Sequence, residues 1–492
     1  MSKLRRAIFF IIAVCGVILQ LFNNSAAQKL EATLKIESVM PPVLRVEGKI
    51  LSENTSKNWT FLRSVAGIEN LGERISDFAL TDKNGRNISV KKLIAGEYLA
   101  ENFTVCFSYK VNLTAMTNLS SMAHISWVED ENGLLMLDDL LPQLGENVSA
   151  KINFEIPDEW KIYGNEMILA KNSFEVANIE KAVFFVGKKW REKEITIEKK
   201  NLNILISNDW HFSDQEATDA ASWILHEYQK IFGDIPNEKS QIFLLRFPEG
   251  TSAGNWEAET RGANVVILSS DMPFKSQSVQ RLHEQFRHEL FHLWIPNNLA
   301  LSGKYDWFFE GFTLYQSLRT GVELNRIRFE DFLDTLSRAY NLDSFQSQRT
   351  SLIEASKNRW NGTNTQIYAR GMLVAFLCDV AVLRESKGKQ SLTEVFREIY
   401  QRYRKPNAVQ DANAAILSLL ETYKELRPIV EKYVKGAENI AWQNDLEAVG
   451  IEAKEENSFT KLVVKSKLSG RQKDLLNELG YNNWRKIVQK TK

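Results

Sequence analysis

The pattern of apolar and polar residues changes in character near residue 213. From about Leu30 to Lys200, apolar and polar residues alternate over short stretches such as 34–36, 151–156 and 195–197. Alternation with a period of two is typical of strands that have one buried face. We therefore predict a β-rich N-terminal domain over residues 28–200, with a β-sandwich-like architecture.

Helical periodicity takes over after this point. Residues 213–216, Ser-Asp-Gln-Glu, form a capping box, which satisfies the first backbone N–H groups of a helix. Helical spacing of apolar residues continues to about Gly436, interrupted by one predicted strand at 264–268. A second capping box at 391–394 opens a helix that runs to Tyr403. The predicted fold class is multidomain α+β, a β domain followed by a mainly helical region.

The C-terminal 40 residues differ from the rest of the chain in charge. Residues 453–492 carry ten basic and four acidic side chains, whereas the whole chain of 492 residues has 62 of each. We expect a basic tail made of a solvated surface helix and a frayed end, with a binding patch as the alternative. Because the overall charge is zero, long-range attraction to polyanions is weak, and nucleic acid is not an expected partner.

The N-terminus has the features of an export signal. A basic head is followed by an apolar run at 7–22 and by the small residues 25–27. We predict a signal peptide at 1–27 and a periplasmic or extracellular location. The alternative is an uncleaved membrane anchor, although the run is shorter than the ~20 residues that cross a bilayer. No integral membrane segment is expected after cleavage, since no second stretch is long and apolar enough.

A cluster of histidines carries the clearest chemical signal. His288, Glu289 and His292 form an H-E-x-x-H pattern. On a helix, residues four apart lie on one face, so both imidazoles can bind one ion while Glu289 projects beside them. The alternative is a charged amphipathic helix with two surface histidines. Nearby His283 lies on another side of the helix, and we expect it to stay out of the ligand set.

The next helical segment offers a third ligand. Catalytic zinc usually has three protein ligands and an open position. Glu310 lies among aromatic residues after a predicted turn at 301–304, and a carboxylate in such surroundings is seldom buried without a cation. The alternative for Glu310 is a carboxylate that faces solvent at the start of a helix.

These residues also resemble a known family. The run 288–294, His-Glu-Leu-Phe-His-Leu-Trp, followed by Glu-Gly-Phe-Thr at 310–313, resembles the gluzincin metallopeptidases, most closely the glycyl aminopeptidase family. Tyr-Ala-Arg-Gly at 368–371 continues the similarity. The resemblance implies a thermolysin-like catalytic domain at 201–325 with the zinc site, and a helical C-terminal part at 326–452. The PDZ domain that members often carry is not expected here.

The resemblance also implies roles for individual residues. Zn²⁺ would be held by His288, His292 and Glu310, while Glu289 activates the attacking water and later protonates the leaving amine. Tyr368 would donate a hydrogen bond to the oxyanion of the tetrahedral intermediate. A tyrosine that only packs in the helical core is the alternative for Tyr368.

Recognition of the substrate's amino group is less well defined. The family carries a Gly-Gly-x-Glu type loop before an edge strand, and the corresponding stretch here is 253–260, ahead of the predicted strand. It retains Gly254 but lacks one glycine. Glu259 fits by distance from the strand, and Glu257 fits by its closeness to Gly254, so both remain candidates.

The predicted function is hydrolysis of peptides by an exported zinc metallopeptidase. An aminopeptidase is the first hypothesis, with peptides as its substrates. A related endopeptidase without the amino anchor is the second, and a non-catalytic binding protein that keeps the peptidase fold is the third.

Overall fold

The computed structural model describes residues 30–51, 57–115, 118–145, 148–247 and 251–483. The predicted signal peptide lies outside these residues. The described chain forms two compact units, the first from residues of 30–115 and 125–188, the second from 118–124 and 189–483.

The first unit is built from three antiparallel or mixed sheets. An eight-stranded sheet has the order β13-β14-β11-β1-β2-β8-β4-β5, a four-stranded sheet the order β12-β15-β10-β9, and a three-stranded sheet the order β3-β7-β6. Its elements are β1 Leu30–Val39, β2 Pro42–Ile50, β3 Asn58–Thr60, β4 Ile75–Thr81, β5 Asn87–Ile88, β6 Val90–Ile94, β7 Glu97–Ala100, β8 Cys106–Asn112, β9 Trp127–Val128, β10 Asn132–Met136, the short helix α1 Leu137–Leu140, β11 Ala150–Glu155, β12 Lys161–Gly164, β13 Met167–Ala170, β14 Ser173–Val176 and β15 Val183–Gly187.

One hydrophobic core joins these sheets. Val46 of β2, Tyr98 of β7 and Val186 of β15 come from different sheets and belong to the same cluster of buried side chains. Within β1, buried and exposed residues alternate over most of the strand, as the period-two pattern predicts. The prediction of a β-rich N-terminal domain is confirmed.

The second unit begins earlier than predicted. Its five-stranded sheet has the order β16-β17-β18-β20-β19, with β16 Trp190–Ile197, β17 Lys200–Ser207, β18 Lys239–Arg246, β19 Trp256–Arg261 and β20 Asn264–Ser269. Since β16 pairs along its whole length with β17, the boundary lies between 188 and 189 and the predicted boundary at 200 is wrong. The predicted single strand is one of three between 239 and 269. Strand β18 is buried along most of its length and β19 is half-buried at every residue, so neither shows the alternation that predicts a strand.

Along the chain, one helix of the second unit lies between β17 and β18, and the other helices come after β20. The helices are α2 Asp214–Phe232, α3 Lys275–Glu289, α4 Asp306–Phe309, α5 Gly311–Glu323, α6 Phe329–Ser344, α7 Leu352–Lys357, α8 Asn364–Ser386, α9 Leu392–Tyr403, α10 Ala412–Leu420, α11 Arg427–Ile429, α12 Gln443–Ala448 and α13 Gly470–Glu478, with the small strands β21 Leu301–Ser302, β22 Gln410–Asp411, β23 Ile451–Glu456 and β24 Phe459–Val464. Both predicted capping boxes are present, at the starts of α2 and α9.

Helices α5 and α8 meet at two glycines. A Cβ added to Gly311 would lie 2.5 Å from the Cα of Gly371, and one added to Gly371 would lie 2.8 Å from the Cα of Gly311. Only glycine permits this approach, because a side chain on either residue would separate the helices. The contact places Glu310, which precedes α5, beside the first turns of α8.

Helix α8 is the centre of the helical region. With the turn before it, Arg359–Ser386 is long and apolar enough to cross a membrane, but 94% of its apolar window is buried within the protein. The expectation that no further stretch has this composition is therefore wrong, and the apolarity of α8 is that of a core helix. Cys378 lies in α8 as a buried free thiol.

A buried polar cluster joins α5 and α8 farther along their length. The Tyr315 hydroxyl donates to Asp379 Oδ2 at 2.5 Å, and Arg319 Nη1 lies 3.2 Å from the same oxygen. Asp379 Oδ1 accepts the backbone N–H of Leu392 at 2.8 Å, and Arg319 Nη2 donates to the carbonyl of Glu478 at 2.9 Å. This cluster ties α9 and α13 to the core helices.

The predicted solvated tail is wrong for the residues described. Strands β23 and β24 form an antiparallel hairpin, and Leu462, Leu475 and Leu476 are buried in the main core of the second unit. The Ser337 hydroxyl of α6 accepts the backbone N–H of Leu462. The charged residues of this segment cover an apolar side that the charge count did not reveal.

Candidate metal centre

The H-E-x-x-H residues lie where α3 ends. His288 and Glu289 are the last residues of α3, Leu290 keeps helical dihedral angles, and His292 lies in the 3₁₀ turn Phe291–Leu293. The chain therefore still makes one full turn between the two histidines. Their rings are 4.8 Å apart, and the two Nε2 atoms lie 3.1 Å from each other.

Glu310 completes a triangle of ligand atoms. It lies between α4 and α5, and its Oε2 is 3.2 Å from His288 Nε2 and 3.7 Å from His292 Nε2. Ligand atoms about 3.3 Å apart surround a tetrahedral ion with bonds of about 2.0–2.1 Å, the geometry and distances of zinc. The three predicted ligands are thus brought together, and two nitrogens with one oxygen fit a catalytic Zn²⁺ site.

A neighbouring backbone carbonyl prepares one imidazole for this role. His292 Nδ1 lies 2.9 Å from the carbonyl oxygen of Ile295. With the proton on Nδ1, Nε2 presents its lone pair to an ion, as metal-binding histidines usually require. Asn297 donates to the carbonyls of both His292 and Thr260, so it joins the turn to strand β19.

The electrostatics of the centre favour a cation. Burial would raise the pKa of Glu310, but Arg359 and the two imidazoles outweigh it and hold that pKa well below its usual range. Burial also opposes charge on His292, yet Glu310 raises the pKa of His292 to about 9. An ionised carboxylate that attracts a proton to the imidazole beside it also attracts a divalent metal ion.

Glu289 lies beside the ligands in a different role. Its side chain is within 4.8 Å of the imidazole nitrogens, but its Oε2 accepts a hydrogen bond from Thr260 Oγ1 at 2.7 Å. Burial raises the pKa of Glu289, and His288 and His292 oppose the rise. A carboxylate with a raised pKa is a stronger base, which suits proton transfer.

Tyr368 faces the same centre from the first turns of α8. Its hydroxyl donates to Glu310 Oε2 at 2.8 Å and accepts from Arg359 Nη2 at 2.9 Å. Burial and Glu310 raise the pKa of Tyr368 well above the ordinary value for a phenol, with Arg359 opposing. The phenol therefore keeps its proton and can donate it in a hydrogen bond.

The predicted amine-binding residues lie on an edge strand. Glu257 and Glu259 belong to β19, the last strand of the five-stranded sheet, and Gly254 lies just before it with a left-handed φ of 87°. The expectation that they form a loop ahead of the edge strand is wrong, because β20, taken for that edge, is covered by β18 on one side and β19 on the other.

The two glutamates have different surroundings. Glu259 Oε2 lies 2.6 Å from His124 Nδ1, and Arg261 Nε is 3.4 Å from its other oxygen. Burial opposes ionisation of Glu259, but His124 and Arg261 outweigh it and lower the pKa to about 2. Glu257 makes no hydrogen bond or ion pair among the described residues, and burial raises its pKa.

Two aromatic neighbours of the motif have structural roles. His283 is buried, stacks on Trp223 and does not contact the ligand triangle, and burial lowers the pKa of His283 to about 3. Trp294 is fully buried, and it stacks on Phe232. Neither residue takes part in the metal centre.

Three residues of the site carried no signal in the sequence. Arg359, Thr260 and His124 contact Glu310, Glu289 and Glu259 across 49, 29 and 135 positions of the chain. A lone arginine, threonine or histidine has no spacing to mark it, so only the fold reveals these contacts.

Comparison with known proteins gives a likeness in structure alone. No family model and no curated protein matches this sequence. An aminopeptidase N family protein from Idiomarina loihiensis has a TM-score of 0.73 at 14% identity, over 90% of this chain and 82% of that one. An M1 zinc metallopeptidase from Deinococcus radiodurans has a TM-score of 0.55 at 13% identity, over 84% and 95%. A variant of the latter, bound to a Tyr-Ser-Ala substrate, gives 0.56 at 14% over the same shares.

These likenesses define a class of fold. The chain has a gluzincin aminopeptidase-like fold, with a β-rich N-terminal region and a helical C-terminal half. The predicted fold class is confirmed. The narrower resemblance to glycyl aminopeptidases stays a prediction.

Proposed function

We propose that this protein is a zinc-dependent peptidase that removes residues from the N-terminus of peptides. The observation that carries the proposal is the convergence of His288 Nε2, His292 Nε2 and Glu310 Oε2 within 3.1–3.7 Å of one another. The likeness to M1 zinc metallopeptidases, one of them bound to a peptide substrate, supports the same chemistry.

The bound ion and the side chains would have separate roles in the reaction. His288, His292 and Glu310 would hold Zn²⁺, which when bound would supply a Lewis acid for the scissile carbonyl. Glu289 takes a proton from the attacking water and returns a proton to the leaving amine. The Tyr368 hydroxyl turns from Glu310 to the carbonyl oxygen as negative charge develops there.

Selection of a free N-terminus would fall to Glu257. Glu259 is already paired with His124 and Arg261, so binding a substrate ammonium there would break existing contacts. Glu257, on the same strand, makes no such pair among the described residues, so a substrate ammonium could pair with its carboxylate without breaking one. Gly254, at the start of this edge strand, would let a substrate backbone approach closely. The His124 pairing also supports the endopeptidase alternative, since it occupies one of the two candidates for the single amine anchor.

Export belongs to the proposal on the sequence alone. The basic head, apolar run and small-residue site at 1–27 support a cleaved signal and a periplasmic or extracellular location. Mass spectrometry of protein recovered outside the cytoplasm is expected to give a mature N-terminus near Gln28; an intact N-terminus would indicate an anchor.

The central test replaces the proposed base. Glu289→Gln is expected to keep about one zinc per chain and to lose hydrolysis of peptides with a free N-terminus. Glu284→Gln is the matched control, because Glu284 lies on the same helix in an exposed ion pair with Arg281. Zinc-loaded parent protein that cleaves no peptide of a broad panel would reject the peptidase.

A second assay separates the two modes of cleavage. Aminopeptidase action requires that N-acetylated peptides resist hydrolysis and that Glu257→Gln raise KM for free peptides more than Glu259→Gln does. Equal cleavage of acetylated and free peptides would assign the endopeptidase instead.

A further inference from the structure

Arg359 lies at the centre of the contacts that surround the metal ligands. Its Nη1 donates to Glu310 Oε1 at 2.9 Å and to Asp306 Oδ1 at 3.0 Å, and its Nη2 donates to the Tyr368 hydroxyl at 2.9 Å. The side chain is 13% exposed. One guanidinium thus links a metal ligand to the proposed oxyanion donor.

The guanidinium has little capacity left for a substrate. Arginine has five N–H donors, and Glu310, Asp306 and Tyr368 take three of them. The fourth N–H, on Nε, donates to Asn364 Oδ1 at 3.3 Å. The ring of Trp360 covers the group, with 4.5 Å between the guanidinium carbon and the ring centroid. These contacts describe a residue that orients its neighbours.

We propose that Arg359 is a positioning residue that fixes both Glu310 and Tyr368 for the reaction. The inference rests on the proposed function and deepens it. It concerns two separate effects, one on the metal ligand and one on the phenol, and each has its own measurement.

The first effect concerns the two oxygens of Glu310. Arg359 binds Oε1, and Oε2 is left to face His288 and His292. The charge-assisted bond from Arg359 Nη1 to Oε1 and the bond from the Tyr368 hydroxyl to Oε2 hold the carboxylate at both oxygens and so limit its rotation. Without the bond from Arg359 the carboxylate is freer to rotate, and the three ligand atoms no longer converge.

The second effect concerns the oxygen of Tyr368. In the resting site its O–H donates to Glu310 Oε2 while Arg359 donates to the phenol oxygen. To stabilise an oxyanion, the O–H must leave Glu310 and turn towards the substrate. The bond from Arg359 does not use the phenol proton, so it can hold the oxygen in place during that turn.

The local backbone fits this task. Arg359 opens the π-helical segment Arg359–Thr363, where Gly362 has a left-handed φ of 97°, before α8 begins at Asn364. The break turns the chain so that Arg359 and Tyr368 approach each other from the two sides of the segment. A continuous helix would place residues nine apart on different faces.

The test measures metal affinity and turnover separately. Arg359→Ala is expected to weaken zinc binding by about 10- to 100-fold in competition with a chelating dye. At saturating zinc it should lower kcat by a similar factor with little change in KM. Because Arg359 acts on turnover through Tyr368, the double variant Arg359→Ala with Tyr368→Phe should lose little more than Tyr368→Phe alone.

Two further variants guard against simple misfolding. Arg359→Lys keeps the charge but not the fork, and should retain zinc affinity between those of the parent and Arg359→Ala. Added guanidinium should restore part of the kcat of Arg359→Ala, whereas ammonium should not. Arg384→Ala is the control, since Arg384 lies about 24 Å beyond Tyr368 along α8, in a partly exposed ion pair with Asp445.

The outcomes separate this inference from the proposed function. If the parent protein binds zinc but cleaves nothing, the peptidase fails while the zinc-affinity comparison still tests the hold of Arg359 on Glu310. If Tyr368→Phe lowers kcat but Arg359→Ala leaves both zinc affinity and kcat unchanged, the peptidase stands and the inference is overturned. Additive losses in the double variant, without rescue by guanidinium, would likewise overturn its action through Tyr368.

Discussion

The same three kinds of side chain come together at two places along α5 and α8. Near their start, Tyr368 and Arg359 contact Glu310. About three turns farther along α8, Tyr315 and Arg319 contact Asp379. Each cluster therefore joins a phenol, a carboxylate and a guanidinium, and each is largely removed from water.

The two clusters differ in whether a carboxylate oxygen remains available to bind an ion. Both oxygens of Asp379 are used within the protein, one by Tyr315 and Arg319 and the other by the backbone N–H of Leu392. Glu310 Oε2 instead faces two imidazoles. A buried polar cluster whose partners are all internal stabilises the fold, whereas one that turns a charged oxygen to imidazoles can bind an ion.

The largest expected contrast comes from the two carboxylates. Glu310→Gln should lose tight zinc binding and about 4 kcal/mol of transition-state stabilisation, about a thousand-fold in kcat/KM. Asp379→Asn should lower the free energy of unfolding by about 3–5 kcal/mol, because it removes the nearer of the two charged partners of the buried Arg319 and leaves only Glu323, 3.6 Å away. Zinc content, steady-state kinetics and urea unfolding measure both. The comparison fails if Asp379→Asn folds stably but loses zinc.

The phenols give the next contrast. Tyr368→Phe should lower kcat by about 10²–10³-fold, the usual cost of one oxyanion donor, with a small change in stability. Tyr315→Phe should leave kcat within about two-fold and lower stability by about 1.5–3 kcal/mol, since it removes a hydrogen bond to a charged group. Equal effects of the two variants on kcat would show that the clusters do not differ in role.

The glycine contact between the helices offers a third, smaller effect. Gly371→Ala puts a Cβ 2.8 Å from Gly311 Cα, so overpacking should cost about 1–3 kcal/mol of stability. The shift should also lower kcat by about ten-fold, because Glu310 and Tyr368 move apart. Gly470→Ala, in open space at the start of α13, is the control that should change neither thermal stability nor turnover.

The smallest expected effect concerns Glu259, whose carboxylate is paired within the protein. Because the pKa of Glu259 is lowered to about 2, its ionised form stabilises the fold fully above about pH 4.5. That contribution is lost as the pH falls towards 2. Urea unfolding of metal-free protein should therefore show a shallower loss of stability between pH 4.5 and 2 for Glu259→Gln than for the parent. Parallel curves would mean that Glu259 and His124 do not form a stabilising pair.

The sequence predicted the parts of the site that depend on neighbouring residues. His288, Glu289 and His292 are recognisable because one helical turn brings them together, and the two capping boxes mark real helix starts for the same local reason. Glu310 was predicted as the third ligand from its aromatic surroundings and the turn before it, and Tyr368 was identified through the resemblance to a family. Both lie at the metal centre.

The prediction of secondary structure was weaker where the pattern of apolar and polar residues depends on which faces of an element are exposed to solvent. Two of the three strands between 239 and 269 were missed: β18 is buried along most of its length and β19 is half-buried at every residue, so neither shows alternation. In the C-terminal segment the count of charges hid a buried face that includes Leu462 and Leu475. Charge describes the solvated side of an element and says little about its other side.

By itself, the sequence predicted the β-rich and helical regions, the zinc-binding pattern, and a candidate base with candidate ligands. Only the tertiary structure decided which distant side chains complete the centre: Arg359 beside Glu310, Thr260 beside Glu289 and His124 beside Glu259. The physical reason is the range of the interactions. Helical spacing and caps are set within a few bonds of each residue. The distant contacts depend instead on how elements far apart in the sequence pack: Gly311 and Gly371 let α5 and α8 meet, and β19 lies along the turn that carries His292.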